Sequence, residues 1–185
     1  MPLQKVTREE IVKSSISVFR RKGYYRTSMA NLAEEMDLTK GTFYHHFESK
    51  EDVMKEALKM SCGWFERRVF SVAYQDELSQ ENRLESMIQL TYKAFTAEEG
   101  GCFFANTILE TSHVEDTFLH ILRNFFKKWE DALAYMLMVT YSESKAHEVA
   151  KQIIAEIEGS IVLMQLHQDK TILQNALQRL KKRLG

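Results

Sequence analysis

A single proline, Pro2, precedes every regular apolar pattern in this 185-residue chain, so no later proline removes a backbone donor from a helix. Alternation of apolar and polar residues between turn residues, the pattern of a strand, does not recur. Helical spacing recurs instead, and the first clear case places Ile11, Val12, Val18 and Phe19 on one face together with Ser15. The sequence therefore predicts an all-α fold.

Capping residues indicate where the helices begin and end. Thr7 and Glu10 form a capping box before the first helix, and Gly23 offers a left-handed stop after it. Ser28, Thr39 and Ser49 are suited to begin the next three helices, which we expect to end near Asp37-Leu38, near Phe47 and toward Tyr74. The later helices are predicted at about 82–97, 103–112, 115–141, 145–167 and 170–183.

Charge is distributed unevenly along the chain. Residues 1–50 carry nine Lys and Arg against six Asp and Glu, an excess of +3, whereas the whole chain has a net charge of −1 and the remainder therefore −4. A basic N-terminal part attached to an acidic remainder is suited to attracting phosphate selectively.

The two cysteines, Cys62 and Cys102, are too few for a disulfide framework, and no clustered histidines accompany them to form a common zinc site. The first ten residues lack the apolar stretch of a signal peptide, and no apolar run reaches membrane-spanning length. We expect a cytoplasmic protein without membrane association, metal or cofactor.

The segment 39–47 has two different faces when it is drawn as a helix. Phe43 and Phe47 point to one side, where a small core could take them. Gly41, Thr42 and His45 face away, and the flanks carry Tyr44 and His46. Such a helix suits a major groove, with the small and hydrogen-bonding groups near base edges. The same pattern also occurs on short amphipathic helices with no DNA to bind.

A longer string favours the DNA-binding interpretation. Residues 26–52, RTSMANLAEEMDLTKGTFYHHFESKED, closely resemble the DNA-binding signature of the TetR family of transcription regulators, and FRRKGY at 19–24 resembles the end of that family's first helix. The resemblance implies a three-helix helix-turn-helix domain, which we place at residues 1–48. The remaining residues, 49–185, would form a helical ligand-binding and dimerisation domain.

The resemblance also implies roles for individual residues. The positions of base or groove contacts are matched by Lys40, Gly41, Thr42 and His45. Those of phosphate contacts are matched by Thr39, Tyr44, His46 and Lys50, while Ser28 matches a cap that presents its helix end to the DNA backbone.

The last two predicted helices carry long apolar stripes, which are Val149, Ile153, Ile157, Ser160, Ile161 and Met164 on one, and Ile172, Leu173, Ala176, Leu177, Leu180 and Leu184 on the other. A core within the chain could cover part of them, but pairing with a second copy would cover more. The TetR resemblance favours a homodimer through these helices, whose two DNA-binding domains would contact successive major grooves of a near-palindromic operator.

Candidate effector-binding residues are of three kinds. Tyr92, Phe125 and Trp129 could line a cavity for an apolar molecule, although aromatic residues of this type more often fill a core. Asn106 and Glu158 are polar groups within apolar helices, and Glu158 could orient a polar or cationic ligand or pair with a basic residue across the dimer. Cys102, which follows two glycines at a predicted helix start, is the sixth candidate, although a buried and inert thiol is the more common case.

By resemblance, the chain is expected to be a repressor released from its operator by a small-molecule effector. A thiol-switched regulator that senses oxidants or electrophiles through Cys102, as in a subgroup of the family, is one alternative, and an activator is another. The sequence has no Gly-rich phosphate loop, nucleophile motif or metal-ligand cluster, so we do not expect an enzyme.

Overall fold

A computed structural model describes residues 6–97, 100–113 and 116–184, and every regular element in these ranges is helical. The α-helices are α1 (Arg8–Lys22), α2 (Met29–Glu34), α3 (Lys40–His46), α4 (Lys50–Arg68), α5 (Gln80–Thr96), α6 (Phe103–Thr111), α7 (Asp116–Leu137), α8 (Glu143–His167) and α9 (Thr171–Leu184). A short 3₁₀ helix, Phe70–Tyr74, follows α4. The all-α prediction is confirmed.

The predicted caps are present. The Thr7 hydroxyl accepts from the Glu10 amide at 3.2 Å, and the Glu10 carboxylate accepts from the Thr7 amide at 2.8 Å. Gly23 ends α1 with a φ of 78°. Ser28, Thr39 and Ser49 accept hydrogen bonds from backbone amides three residues later, which satisfies donors that the first helical turn leaves without a partner.

Three helix ends differ from the prediction by three residues or more, and the first is that of α2, which ends at Glu34 and not near Asp37-Leu38. α4 does not continue to Tyr74 as an α-helix but stops at Arg68, because the next residues are apolar on too many sides for one α-helical face. In the tighter 3₁₀ helix Phe70, Val72 and Ala73 are all buried, and the Phe70 ring lies 6.2 Å from the ring of Trp129. α7 ends at Leu137, four residues earlier than predicted.

The chain forms two compact units. The first unit comprises Met1–Cys62 and Phe103–Leu122, and the second comprises Gly63–Cys102 and Arg123–Gly185. The first therefore contains α1, α2, α3 and α6, and its core includes the fully buried side chains of Ile11, Leu32 and Phe43. The division predicted between residues 48 and 49 stays a prediction, since compactness and domain function are different criteria.

The second unit has an aromatic core and contains α5, α8 and α9. Within it α8 packs along α9, and α9 also contacts α5. None of the described helices is both long and apolar enough to cross a membrane.

Candidate nucleic-acid interface

Two phenyl rings anchor one side of α3. Phe43 is 0% exposed and Phe47 is 2% exposed, and their ring centroids lie 6.2 Å apart. α2 packs against α3 and contributes the buried Leu32 to the same core. The predicted buried side of α3 is confirmed.

The opposite side of α3 is exposed. Gly41, Thr42 and His45 are open to solvent, and the Tyr44 side chain is 52% exposed. A Cβ added at Gly41 would find a single atom within 4 Å among the described residues, the Thr39 hydroxyl oxygen at 3.9 Å. Packing within the chain therefore does not require a glycine at position 41. Because Gly41 has no side chain, another surface can approach this face of the helix closely.

The remaining predicted contacts border this face. Lys40 is exposed, His46 is half-buried with its ring edge-on to that of His45, and Ser28 is exposed at the start of α2. The hydroxyl oxygens of Thr39, the cap of α3, and of Thr42, in its first turn, lie 2.9 Å apart. Lys40, Thr42 and His46 lie on α3 and Thr39 caps it, whereas Ser28 caps the helix α2 that packs against α3, and the contacts of all of them with DNA stay predictions.

The turn between α2 and α3 depends on a left-handed residue. Asp37 has a φ of 53°, and the amide of the next residue, Leu38, donates to the carbonyl of Ala33 at 2.9 Å. Aspartate adopts this conformation more readily than branched or bulky residues. The turn ends α2 at Glu34 and sets the direction in which α3 leaves.

Arg8 links α1 to the far end of α3, and the sequence analysis missed it. Its guanidinium donates to the carbonyl of His46 and lies 3.9 Å from the centroid of the Phe47 ring. A positive charge at the C-terminal end of a helix interacts favourably with the helix dipole. No local pattern connects residues 38 positions apart, so the sequence offered no signal for this contact.

Lys50 takes a different position from the one expected for a phosphate contact. It is half-buried at the start of α4, where its amine donates to the carbonyl of Tyr24 at 2.7 Å and lies 4.1 Å from the centroid of the Tyr24 ring. Burial lowers the pKa of Lys50, and the nearby charge of Glu110 opposes this. Its role at a phosphate stays a prediction, and the structure adds a role within the first unit.

In the second unit, two predicted effector residues belong to the aromatic core. Phe125 and Trp129 are each 1% exposed, with ring centroids 6.0 Å apart. Phe65, Phe70 and Phe95 surround them at similar distances. A ligand at this position would have to displace at least one ring.

Cys102 and Glu158 lie together. The Cys102 thiol, 2% exposed, donates a hydrogen bond to the Glu158 carboxylate, whose Oε1 is buried and finds no partner among the described residues. Burial raises the pKa of Glu158 to about 7, and the thiol hydrogen bond acts in the opposite direction. An oxidant could reach this thiol only if the surrounding residues opened.

The other two candidates lie elsewhere. Tyr92 is half-buried on α5 and lines a groove of about 180 Å³ with Leu177 of α9. Asn106 is half-buried on α6, in the first unit. A larger groove that the sequence analysis missed, about 520 Å³, is lined in the second unit by Phe95, Gly100, Met164, Gln165, Gln168 and Lys170.

One group of side chains has the ligand types and spacing of a metal site, but its carboxylates are already paired with lysines. Glu130, Asp131 and His147 bring possible ligand atoms within 4.8 Å of one another. Lys127 pairs with Asp131 at 2.5 Å, and Lys151 approaches Glu130 at 3.9 Å. Ammonium groups already neutralise these carboxylates, so the group is better described as a salt-bridge network.

Most described residues of the apolar stripes of α8 and α9 are buried within the chain, whereas Ile172 is half-buried and the side chain of Leu184 lies outside the described part. Ile153, Ile157 and Ile161 are each 2% exposed, and Leu173 and Leu177 are 0% and 1% exposed. The buried residues of the stripes therefore belong to an intrachain core, the alternative that the sequence left open, while pairing through the last two helices stays a prediction. A different face of α8 is exposed and apolar, with Val162 at 61%, Leu163 at 47% and Leu166 at 71%.

α3 is anchored by buried rings and has an open face that carries a glycine, and a tight turn joins it to α2. These features define a helix-turn-helix DNA-binding protein. A family model described as "Bacterial regulatory proteins, tetR family" matches residues 11–57. Another, "Transcriptional regulator LmrA/YxaF-like, C-terminal domain", matches residues 81–179, more than half of the chain. The chain belongs to the TetR family of transcriptional regulators.

Individual relatives agree with this assignment. The chain is 28% identical over 183 residues to an HTH-type transcriptional regulator in the lacX 3' region of Lactococcus lactis, covering 95% of this chain and 91% of the relative. It is 22% identical to the HTH-type transcriptional repressor DhaR of Mycobacterium sp. strain GP1, covering 92% and 88%. A TetR regulator from Legionella pneumophila shares the fold over 100% of both chains, with a TM-score of 0.87 at 18% identity.

The chain is thus a DNA-binding transcriptional regulator. Regulators of this family bind operator DNA and function as dimers.

Proposed function

We propose that this regulator is a dimeric repressor that leaves its operator when a small molecule binds within the second unit. The proposal that a ligand releases the repressor from its operator rests on the buried Glu158 carboxylate. Its Oε1 finds no partner in the described part of the chain. Leaving such an oxygen without a hydrogen bond costs roughly 1–3 kcal/mol. A ligand that donates to it would recover this free energy, so the site favours binding. The similarity to DhaR, which is named as a repressor, supports repression as the mode of regulation.

The DNA contacts follow from the exposed face of α3. Gly41, Thr42 and His45, with Lys40, approach base edges in the major groove. Phosphates are contacted from the borders by Ser28, Thr39, Tyr44 and His46, and by Lys50, whose ammonium group has N–H donors besides the one that bonds the Tyr24 carbonyl. Replacement of Tyr44 by Phe should then weaken binding to all duplexes about equally. His45→Ala should change the preferred base, and the opposite pattern in a binding-site selection would refute these roles.

The dimer forms through the last two helices, α8 and α9, and the exposed apolar face of α8 is its proposed centre. Ala155, Gly159, Val162 and Leu166 follow one another at intervals of four, three and four residues, so they line one side of the helix. An added Cβ at Gly159 would meet no described atom within 4 Å, which leaves room for a second helix to approach. A groove of about 510 Å³ beside this face, lined by Phe126, Ile154 and Ala155 among others, can receive partner side chains.

The effector is a molecule with a cationic or hydrogen-bond-donating group and an apolar body. Glu158 binds the polar group. Because the pKa of Glu158 is about 7, it can accept from a cation as a carboxylate or donate to a neutral ligand when protonated. The other residues proposed here for the effector are Tyr92, Cys102, Asn106, Phe125 and Trp129, of which the aromatic core members would have to shift.

The test uses the full chain and an operator selected from random duplexes. Benzylammonium compounds of increasing size, with matched benzyl alcohols as neutral probes, are added to the complex. Release by the cations from the wild type, and not from Glu158→Gln, supports the proposal. Release by the cations that Glu158→Gln leaves unchanged refutes the role of Glu158. If no compound in either series releases the operator, the proposal that an effector of this chemical class releases the repressor is wrong.

A further inference from the structure

The turn between α1 and α2 binds a carboxylate from α6. The backbone amides of Tyr24 and Tyr25 donate to Glu110 Oε2 at 2.7 and 3.2 Å. Consecutive amides that point at one anionic oxygen form an anion-binding nest. Glu110 lies 86 positions after Tyr24, yet both residues belong to the first unit.

Gly23 makes this approach possible. Its φ of 78° and ψ of 171° are accessible to glycine and strained for other residues. An added Cβ would lie 2.0 Å from Glu110 Oε1, a distance that no real contact tolerates. The glycine at the end of α1 and the carboxylate of α6 are therefore fitted to each other.

The same turn is held from a second side by Lys50. Its amine donates to the Tyr24 carbonyl at 2.7 Å, so the backbone around Tyr24 is fixed at its amide by Glu110 and at its carbonyl by Lys50. The Thr27 hydroxyl donates to the Gly23 carbonyl at 2.6 Å. Thr27 directly precedes Ser28, the cap of α2, so the start of α2 depends on where this turn is held.

We propose that Glu110 is a positioning residue for operator recognition. It holds the α1–α2 turn, and through the turn it holds α2 and the packed α3, in the orientation that fits the major groove. The DNA-binding part of the chain then extends beyond residues 1–48, because α6 supplies this contact.

Electrostatics alone gives the opposite expectation. Glu110 places a negative charge on the DNA-binding unit, and removing such a charge tends to strengthen binding to any duplex through phosphate attraction. A positioning role instead makes specific binding weaker when the side chain is removed. The sign of the change in operator affinity therefore separates the two.

The experiment measures the affinity of the full chain for a selected operator and for a random-sequence duplex at one salt concentration. Glu110→Ala should lose about tenfold in operator affinity, with random-duplex affinity unchanged or higher. Glu110→Gln, which keeps an acceptor oxygen for the amides, should recover most of the loss. Glu34→Gln, which removes an exposed charge from α2, is the matched control and should bind both duplexes at least as tightly as the wild type.

Glu110→Asp covers the case in which Glu110→Ala unfolds, because its carboxylate is one methylene too short to reach both amides and should also lose operator affinity selectively. Only variants whose melting temperature equals that of the wild type are compared. The proposal is wrong if the Glu110 variants among them bind the operator as tightly as Glu34→Gln does. It is equally wrong if they lose operator and random duplex in the same proportion. None of these outcomes depends on the effector.

Discussion

The guanidinium of Arg8, the first residue of α1, donates a hydrogen bond to the backbone carbonyl of His46, the last residue of α3, and lies over the ring of Phe47. One side chain thus satisfies a carbonyl at the end of the helix proposed to contact base edges and covers one of the two rings that anchor it. The orientation of α3 is therefore tied to α1 as well as to α2.

Replacing Arg8 tests this connection. Arg8→Ala should lower the free energy of unfolding by about 1 kcal/mol, because it removes a charge-assisted hydrogen bond and a cation–π contact at an exposed position. Arg26→Ala, at an exposed position, removes the same charge. Chemical denaturation of both variants provides the comparison, and equal losses in the two would show that Arg8 contributes only its charge.

Glu158 should make stability depend on pH. Its pKa is about 7 in the folded chain against an ordinary value of 4.5, so folding favours the protonated form. The stability from this group is fully present below about pH 4.5 and is lost as the pH rises through about 7. The free energy of unfolding of Glu158→Gln should therefore exceed that of the wild type by roughly 3 kcal/mol above about pH 7. Below about pH 4.5 the difference should be much smaller.

Denaturation at about pH 5 and about pH 8 checks this prediction. Glu148→Gln, at an exposed position on the same helix, should show no difference between the two pH values. An advantage of Glu158→Gln that stays constant across this range would mean that the carboxylate is not buried in solution.

The proposed dimer face makes a prediction about assembly. Leu166 is 71% exposed on α8, so Leu166→Glu should leave the fold of a single chain nearly unchanged while placing two charges in the dimer contact. Sedimentation should then show folded monomers. Leu109→Glu makes the same change at a leucine of α6 that is 75% exposed, and it should remain dimeric. A Leu166→Glu dimer as tight as the wild type would place the interface elsewhere.

Local patterns account for what the sequence predicted well. Hydroxyl residues three positions before a free amide marked the starts of α1, α2, α3 and α4, and the spacing of Phe43 and Phe47 indicated the buried side of α3. Both signals act within one or two helical turns, so they can be read without knowing the fold.

Contacts between distant segments were beyond the sequence. The partners Arg8 and His46, and Glu110 and Tyr24, are joined by the tertiary fold and share no periodic pattern. The apolar stripes of α8 and α9 show a related limit, since periodicity indicates that Ile157 and Leu177 are covered but not which chain covers them. In the structure their own chain does so, and the exposed Leu166 lies on another face.

The most direct test of the account concerns Gly41. An alanine there meets only the Thr39 hydroxyl oxygen within 4 Å in the described structure, so Gly41→Ala should keep the fold and raise its stability by up to about 1 kcal/mol through higher helix propensity. The added methyl group would stand between α3 and the groove floor, and operator affinity measured by fluorescence anisotropy should fall about tenfold or more. A stable Gly41→Ala protein that binds its operator as tightly as the wild type would show that this face of α3 does not contact the bases.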